Sequence, residues 1–218
     1  MGPPVDLEQG GGAVTAYRVL LLSILLGVTA SSAVAVDNAA STSAADGQDR
    51  VQILPVPQAL RDFTLTDHET RPFAAADLRG RTSLVFFGFT SCRSVCPPTM
   101  EKLRQVTQAL ADEPGSFASV LISVDGERDT PAALEAFLEP FMPNFIGVTG
   151  PPADVRAVAT DFSAVFFKGM PTDTQGGYDV EHTSQIYLID RDAQLRATFY
   201  NAPVDAMVAL VRQVMREE

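Results

Sequence analysis

An α/β domain, a central mixed sheet flanked by helices behind an N-terminal apolar segment, is the fold class that the sequence predicts. Three observations predict it. Ser83–Phe89 and Ala118–Val124 are short, near-continuous apolar runs, as strands buried on both faces require. Between them, Pro97–Ala111 places Met100, Leu103, Val106, Thr107 and Leu110 at helical spacing. Nearer the C-terminus, Thr183–Asp190 and Gln194–Tyr200 flank the turn Arg191-Asp192-Ala193, which reads as an antiparallel hairpin.

Taken in chain order, the first run, the helix and the second run make a β-α-β unit. Such a unit implies a parallel strand pair. A second helix follows from Thr130, with Pro131 in its first turn, where the missing N–H is an orphan in any case. Asn144–Val148 is a third strand candidate and Ala153–Phe162 a third helix. After the hairpin, a last helix from about Pro203 sets Val204, Met207, Val208, Val211 and Met215 on one face. No internal repeat is visible. Parallel β-α-β first and hairpin plus helix last is the chain order of the thioredoxin-like fold.

The domain spans residues 51–218 in this reading. Ahead of it, residues 1–36 contain the uncharged stretch Val19–Val36, strongly apolar over Val19–Val28. Two readings stay open. Ala33-Val34-Ala35 has the small-x-small pattern of a cleaved signal peptide, and the 18 uncharged residues suffice for a single tilted membrane anchor. Arg18 before the stretch and Asp37 after it favour a cytoplasmic N-terminus. Both readings export the rest of the chain to the periplasmic or extracytoplasmic side of the cell envelope, an oxidising place. No cysteine follows the apolar stretch, which argues against a lipid anchor. Residues 37–50 are small and polar and read as a flexible linker.

Composition narrows the function. With 218 residues, 46% hydrophobic and 20% charged, the chain is neither disordered nor a multi-span membrane protein. Its 16 basic and 27 acidic residues argue against nucleic acid as a partner. Removing residues 1–35 takes away Arg18, Asp6 and Glu8, leaving 15 basic and 25 acidic residues, so the acidity belongs to the exported domain. An acidic domain suits docking on a basic patch of a partner. Two cysteines cannot make a multi-disulfide framework or a four-cysteine zinc site. They can make one redox pair or one metal site.

Both cysteines lie in Gly88-Phe-Thr-Ser-Cys92-Arg-Ser-Val-Cys96-Pro-Pro-Thr99, between the first strand and the first helix. Open α/β sheets place their sites at strand C-terminal ends. Pro97 biases Cys96 toward extended geometry, so Cys92 sits in a loop and Cys96 within a residue or two of the helix start. Unpaired N–H groups there favour thiolate, which is both nucleophile and soft metal ligand. The spacing is Cys-x3-Cys. On a helix, residues four apart hold their Cβ atoms roughly 5–6 Å apart, wider than the about 3.5–4.5 Å of a relaxed disulfide. An irregular loop can close that gap, and the wider spacing also suits two sulfurs gripping one ion. The bland alternative is a structural staple, which for so short a loop stabilises little.

Three motifs in order, Gly88-Phe-Thr-Ser-Cys92-x3-Cys96-Pro, Ser123-Val-Asp125-Gly-Glu-Arg-Asp129-Thr-Pro131 and Asp179-Val-Glu-His182-Thr-Ser-Gln-Ile-Tyr-Leu-Ile-Asp190, closely resemble the Sco/SenC family. The resemblance runs from about Arg61 to Val214. It implies a thioredoxin-like, membrane-anchored copper protein that helps assemble the dinuclear copper centre of cytochrome c oxidase. By the same resemblance, Cys92, Cys96 and His182 are the copper ligands, one ion per domain. Donor chemistry agrees: two thiolates select Cu(I), and an imidazole lets the same site accept Cu(II). The implied partners are the copper-centre subunit of the oxidase, other copper carriers and thiol reductants. Asp125 and Asp129 match the family's acidic loop, where a carboxylate could orient His182 or an approaching partner. For Asp129 the plainer reading is a helix cap shared with Thr130. Gly126 stands where the family usually has proline, which implies a more mobile loop. His68, in the turn Thr66-Asp-His-Glu-Thr70, reads as a surface residue.

The main alternative is a thiol–disulfide oxidoreductase acting on cysteines of the copper-site target. Three features weigh against it: no Trp precedes Cys92, Thr183-Ser184 stands where such enzymes place a cis-proline, and a redox enzyme has no need of His182. A thiol peroxidase, suggested by Val95-Cys96-Pro97, expects Thr where this chain has Arg93.

Overall fold

The computed structural model describes Gly2 and residues 50–113, 116–171 and 177–217. The signal-or-anchor reading of residues 1–36 and nearly all of the linker lie outside the described residues. Among the described residues, no helix is long and apolar enough to cross a membrane.

Strand β4 (Thr82–Gly88) is buried along its whole length, as its unbroken apolar sequence requires. It lies parallel to β5 (Phe117–Ser123), which in turn lies parallel to β6 (Phe145–Thr149). The crossover from β4 to β5 is α1 (Cys96–Ala109), whose Met100, Leu103 and Val106 are buried. Crossover helices α2 (Pro131–Leu138) and α3 (Pro152–Asp161) flank β6 in the chain, each with proline in its first turn. The predicted hairpin is present, although its first strand, β9 (Ile186–Ile189), is shorter than expected. Antiparallel β10 (Gln194–Tyr200) follows, then α4 (Val204–Arg216), which buries Met207, Val208 and Val211.

Five strands were not evident in the sequence. Edge strand β1 (Arg50–Ala59) pairs with β10, beginning with Arg50 opposite Tyr200, so Arg50 belongs to the sheet and not to the linker. Its Pro55 and Pro57 fall in a register shift between Ile53 and Gln58, and hardly any of its side chains are covered. Without a buried face it shows no alternation. Short β2 (Thr64–Asp67) and β3 (Pro72–Ala74) add to β6, completing the sheet order β1-β10-β9-β4-β5-β6-β2-β3. The remaining pair, β7 (Phe166–Pro171) and β8 (Tyr178–His182), forms a separate two-stranded sheet.

Aromatic rings fill the core around β4. Phe87 meets Phe162 and Tyr187 edge-on, with centroids 5.2 and 5.8 Å away. Each fully buried side chain of this size contributes about 1.5–3 kcal/mol, and edge-to-face pairing adds about 0.5–1.5 kcal/mol.

His68 overturns its surface assignment. It does sit in the turn after β2, but it is only 5% exposed. Pairing of β2 with β6 tucks the turn against Gly147, whose N–H donates to His68 Nδ1 at 3.2 Å. Short-range turn chemistry marked the bend correctly; the strand that covers it comes from 79 residues away.

Candidate metal centre

The cysteine loop leaves the end of β4 and re-enters regular structure at α1. Cys96 is the first residue of that helix, and Cys92 lies in the loop ahead of it. The Cys96 N–H, one of the helix's orphan donors, points at the Cys92 sulfur at 3.4 Å. Gly88 makes room for this arrangement: a Cβ there would lie 2.9 Å from the Cys96 sulfur and 2.7 Å from the Phe86 ring. Both cysteines are free thiols and both are buried.

His182 ends β8, four residues before β9 begins. Its Nε2 lies 4.0 Å from the Cys92 sulfur and 3.8 Å from the Cys96 sulfur. All three donor atoms fall within 4.8 Å of one another. That is close enough for one ion with bonds of about 2.0–2.3 Å. Nδ1 lies 3.1 Å from the Thr183 carbonyl oxygen. A carbonyl only accepts, so Nδ1 carries a proton, and Nε2 is the nitrogen that faces the sulfurs, a donor to the Cys92 thiolate without metal and a lone-pair ligand where metal is bound. Phe86 and Phe89 present the ring from two sides, at centroid distances of 5.9 and 5.7 Å. Two soft sulfurs and one imidazole nitrogen in an apolar shell fit a copper ion in either common oxidation state.

The two thiols are electrostatically unequal. Burial opposes ionisation of Cys92, yet hydrogen bonds from His182, from Cys96 and from the Ser94 backbone outweigh it, and the pKa falls to about 6. Burial dominates at Cys96 and pushes its thiol far up, with Cys92 and Asp129 adding to the rise. Because a depressed pKa means thiolate above that value, the ultraviolet absorbance of thiolate in reduced, metal-free protein is expected to rise with a midpoint near pH 6. One sulfur should account for the whole step through neutral pH. Two equal sulfurs titrating together near an ordinary thiol value would contradict this asymmetry.

The carboxylates of the acidic loop take partners other than the histidine itself. β4 and β5 are parallel neighbours with Gly88 opposite Ser123, so the loops that leave them abut. Asp129, fully buried, accepts hydrogen bonds from the Thr90 N–H at 3.0 Å, the Thr90 hydroxyl at 2.6 Å and the Ser123 hydroxyl at 2.7 Å. It therefore braces the cysteine loop two residues before Cys92. The capping alternative is not realised by Asp129: Thr130 caps α2, accepting from the Ala133 N–H at 3.2 Å. Asp125 is engaged elsewhere: it pairs with Arg128 Nε and accepts from the Tyr178 hydroxyl at 2.7 Å. Burial and the Asp125 carboxylate push that hydroxyl's pKa up, which keeps it a donor. The backbone carbonyl of Thr183 orients the imidazole instead.

Gly126 is held by close approach, against the expectation of a looser loop. A Cβ there would sit 2.0 Å from the Gly150 carbonyl oxygen. Gly126→Ala is accordingly expected to destabilise the fold by about 1–3 kcal/mol, the usual range for overpacking, read as a lowered thermal midpoint. Thr90, Ser123, Arg128 and Tyr178 were given no role in the sequence reading, and Thr183 none toward the imidazole. Only the parallel pairing of β4 with β5, inferred from the β-α-β unit, pointed to Ser123 and Thr90 as neighbours.

Comparison with known proteins places these features in a family. The SCO1/SenC family profile matches residues 53–216. The SCO2-like protein of Rickettsia felis is 34% identical over 139 residues, covering 64% of this chain and 68% of the relative. The mitochondrial SCO2 homologue of Homo sapiens is 40% identical over 133 residues; the match takes in 60% of this chain and about half, 50%, of that one. Among solved structures, Bradyrhizobium japonicum ScoI with copper bound superposes with a TM-score of 0.65 at 32% identity, over 72% of this chain and 99% of that one. A three-donor site at the end of β4, on a thioredoxin-like sheet and within a profile match over most of the length, leads to one conclusion: the chain belongs to the SCO1/SenC family.

Proposed function

We propose that this chain is a copper-binding metallochaperone of the cell envelope, which assists assembly of the copper centre of cytochrome c oxidase. The observation that carries the reading is the convergence of Cys92, Cys96 and His182, three donor atoms within 4.8 Å. Cys92 and Cys96 supply the soft pair and His182 the harder nitrogen, for one copper ion per domain. When bound, copper is the cargo, and the oxidase subunit bearing the copper centre is the recipient. The relatives that match, one of them solved with copper, support this assignment. The apolar stretch Val19–Val36 supports export, with the domain on the periplasmic side, anchored or released.

The deciding experiment is copper stoichiometry by metal analysis on reduced wild type and Cys92→Ser. One equivalent in wild type and none retained by Cys92→Ser is the expected pair of results.

A second reading, thiol–disulfide exchange on the recipient's cysteines, is favoured by one specific observation. Cys92 is the acidic thiol and Cys96 the deeply buried one, the division of labour between an attacking and a resolving thiol. Reduced wild type that binds no copper yet turns over disulfides would put this reading first.

A further inference from the structure

We infer that Arg128 is a positioning residue for His182, pinning β8 at its start and backing the imidazole at its end. β8 begins at Tyr178 and ends at His182, so whatever holds Tyr178 sets where the histidine arrives. Arg128 holds it in three ways. Its guanidinium carbon stacks 3.8 Å from the Tyr178 ring centroid. Its Nη1 donates to the Tyr178 carbonyl at 3.0 Å. Its Nε pairs with Asp125, whose other oxygen takes the Tyr178 hydroxyl at 2.7 Å. The same guanidinium carbon lies 5.8 Å from the Phe89 centroid, and Phe89 meets the His182 ring edge-on at 5.7 Å.

The outer side of Tyr178 is closed by Lys168, whose Nζ lies 3.8 Å from the ring and 2.9 Å from Glu127 Oε2. Tyr178 is thus sandwiched between two cations, one of them half-buried and paired with Asp125. Nη2 of Arg128 is buried without a hydrogen-bond partner among the described residues. An arginine tolerates this because its planar face is engaged by the rings, an arrangement that a lysine reproduces only in part. β7 has its own anchor, Arg156, which donates to the Phe166 carbonyl at 2.8 Å and lies over the Phe166 ring. Phe166 pairs opposite His182, so Arg156 steadies the neighbouring strand beside the histidine while Arg128 holds β8 itself at Tyr178.

The use of this clamp rests on the copper-site reading, but the clamp itself is tested without metal. In reduced, metal-free protein, nuclear Overhauser contacts between the His182 and Phe89 rings are followed in wild type, Arg128→Gln, Arg128→Lys and Tyr178→Phe. Arg128→Gln is expected to lose at least about half of that cross-peak intensity, with Arg128→Lys recovering part of it. On copper loading, Arg128→Gln should weaken Cu(II) about tenfold while leaving Cu(I) within about twofold, because only the histidine is displaced. Unchanged ring contacts in a folded Arg128→Gln overturn the inference. So does an equal loss of Cu(I), Cu(II) and thermal midpoint, which marks a merely structural role. Should Arg128→Gln not fold, Arg128→Lys and Tyr178→Phe decide by the same ring contacts. Wild type that binds no copper sinks the copper-site reading and leaves the ring-contact result to judge the clamp.

Discussion

Replacing His182 by alanine is expected to weaken Cu(II) by about two orders of magnitude, roughly 3 kcal/mol, while Cu(I) weakens by less than about tenfold. The difference follows from the donor set. Cu(I) is satisfied by the two sulfurs of Cys92 and Cys96, whereas Cu(II) needs the harder imidazole nitrogen. The geometry makes the substitution clean. His182 touches the sulfurs only through Nε2, and its Nδ1 bond is to the carbonyl of the adjacent residue. Removing the ring therefore empties a space between Phe86 and Phe89 and, beyond the adjacent carbonyl, unpairs only the cysteine sulfurs themselves. Competition titrations with chelators of known affinity on pre-reduced protein without oxygen, run with reductant for Cu(I) and after its removal for Cu(II), measure both numbers. Equal losses for the two oxidation states would remove His182 from the ligand set.

Asp129→Ala is expected to be the most damaging substitution outside the donor atoms, at about 2–4 kcal/mol of folding stability. One carboxylate satisfies the Thr90 N–H, the Thr90 hydroxyl and the Ser123 hydroxyl, all within the buried junction of two loops. Alanine leaves these donors without an acceptor and without water to replace it. Asp129→Asn keeps one oxygen and should recover about half of the loss. Denaturant unfolding measures the stability. Copper affinity in the folded fraction should fall as well, for both oxidation states together, because Thr90 leads directly into the Cys92 loop. A stability loss within about 0.5 kcal/mol, typical of unremarkable surface changes, would show that the junction does not depend on Asp129.

These outcomes depend on contacts of very different legibility. The β-α-β core could be read from residues alone because β4 and β5 are buried on both faces and say so in unbroken apolar runs. The helix of the cysteine loop was legible from the spacing of Met100, Leu103 and Val106 and from Pro97 at its start. Strands β1, β7 and β8 were not, since they lack a continuous buried face. β1 is exposed along nearly all of its length, and β8 buries little beyond Val180. His182 precedes the hairpin strand, and it also ends a strand of a separate two-stranded sheet that the sequence does not announce.

The partners of the acidic loop were illegible for a related reason. Asp125 and Asp129 stand four residues apart in one acidic loop. Their partners differ completely. Asp129 turns inward to Thr90 and Ser123, and Asp125 turns to Arg128 and Tyr178. His68 is the converse case: a turn sequence that looks exposed is buried by β6.

What the sequence determined by itself is the chemistry available and its order along the chain. Two cysteines, one histidine in a recognisable motif, a β-α-β framework and an apolar N-terminal stretch are all local facts, set by residue type and short-range spacing. The tertiary structure alone decided which of those groups meet and what steadies them. It brought Nε2 of His182 to 3.8 and 4.0 Å from two sulfurs 86 and 90 residues away. It also gave the imidazole a backbone carbonyl for its proton and an arginine clamp for its strand. Such contacts depend on sheet pairing and loop closure between distant segments, and neighbouring residues in the chain carry no record of them.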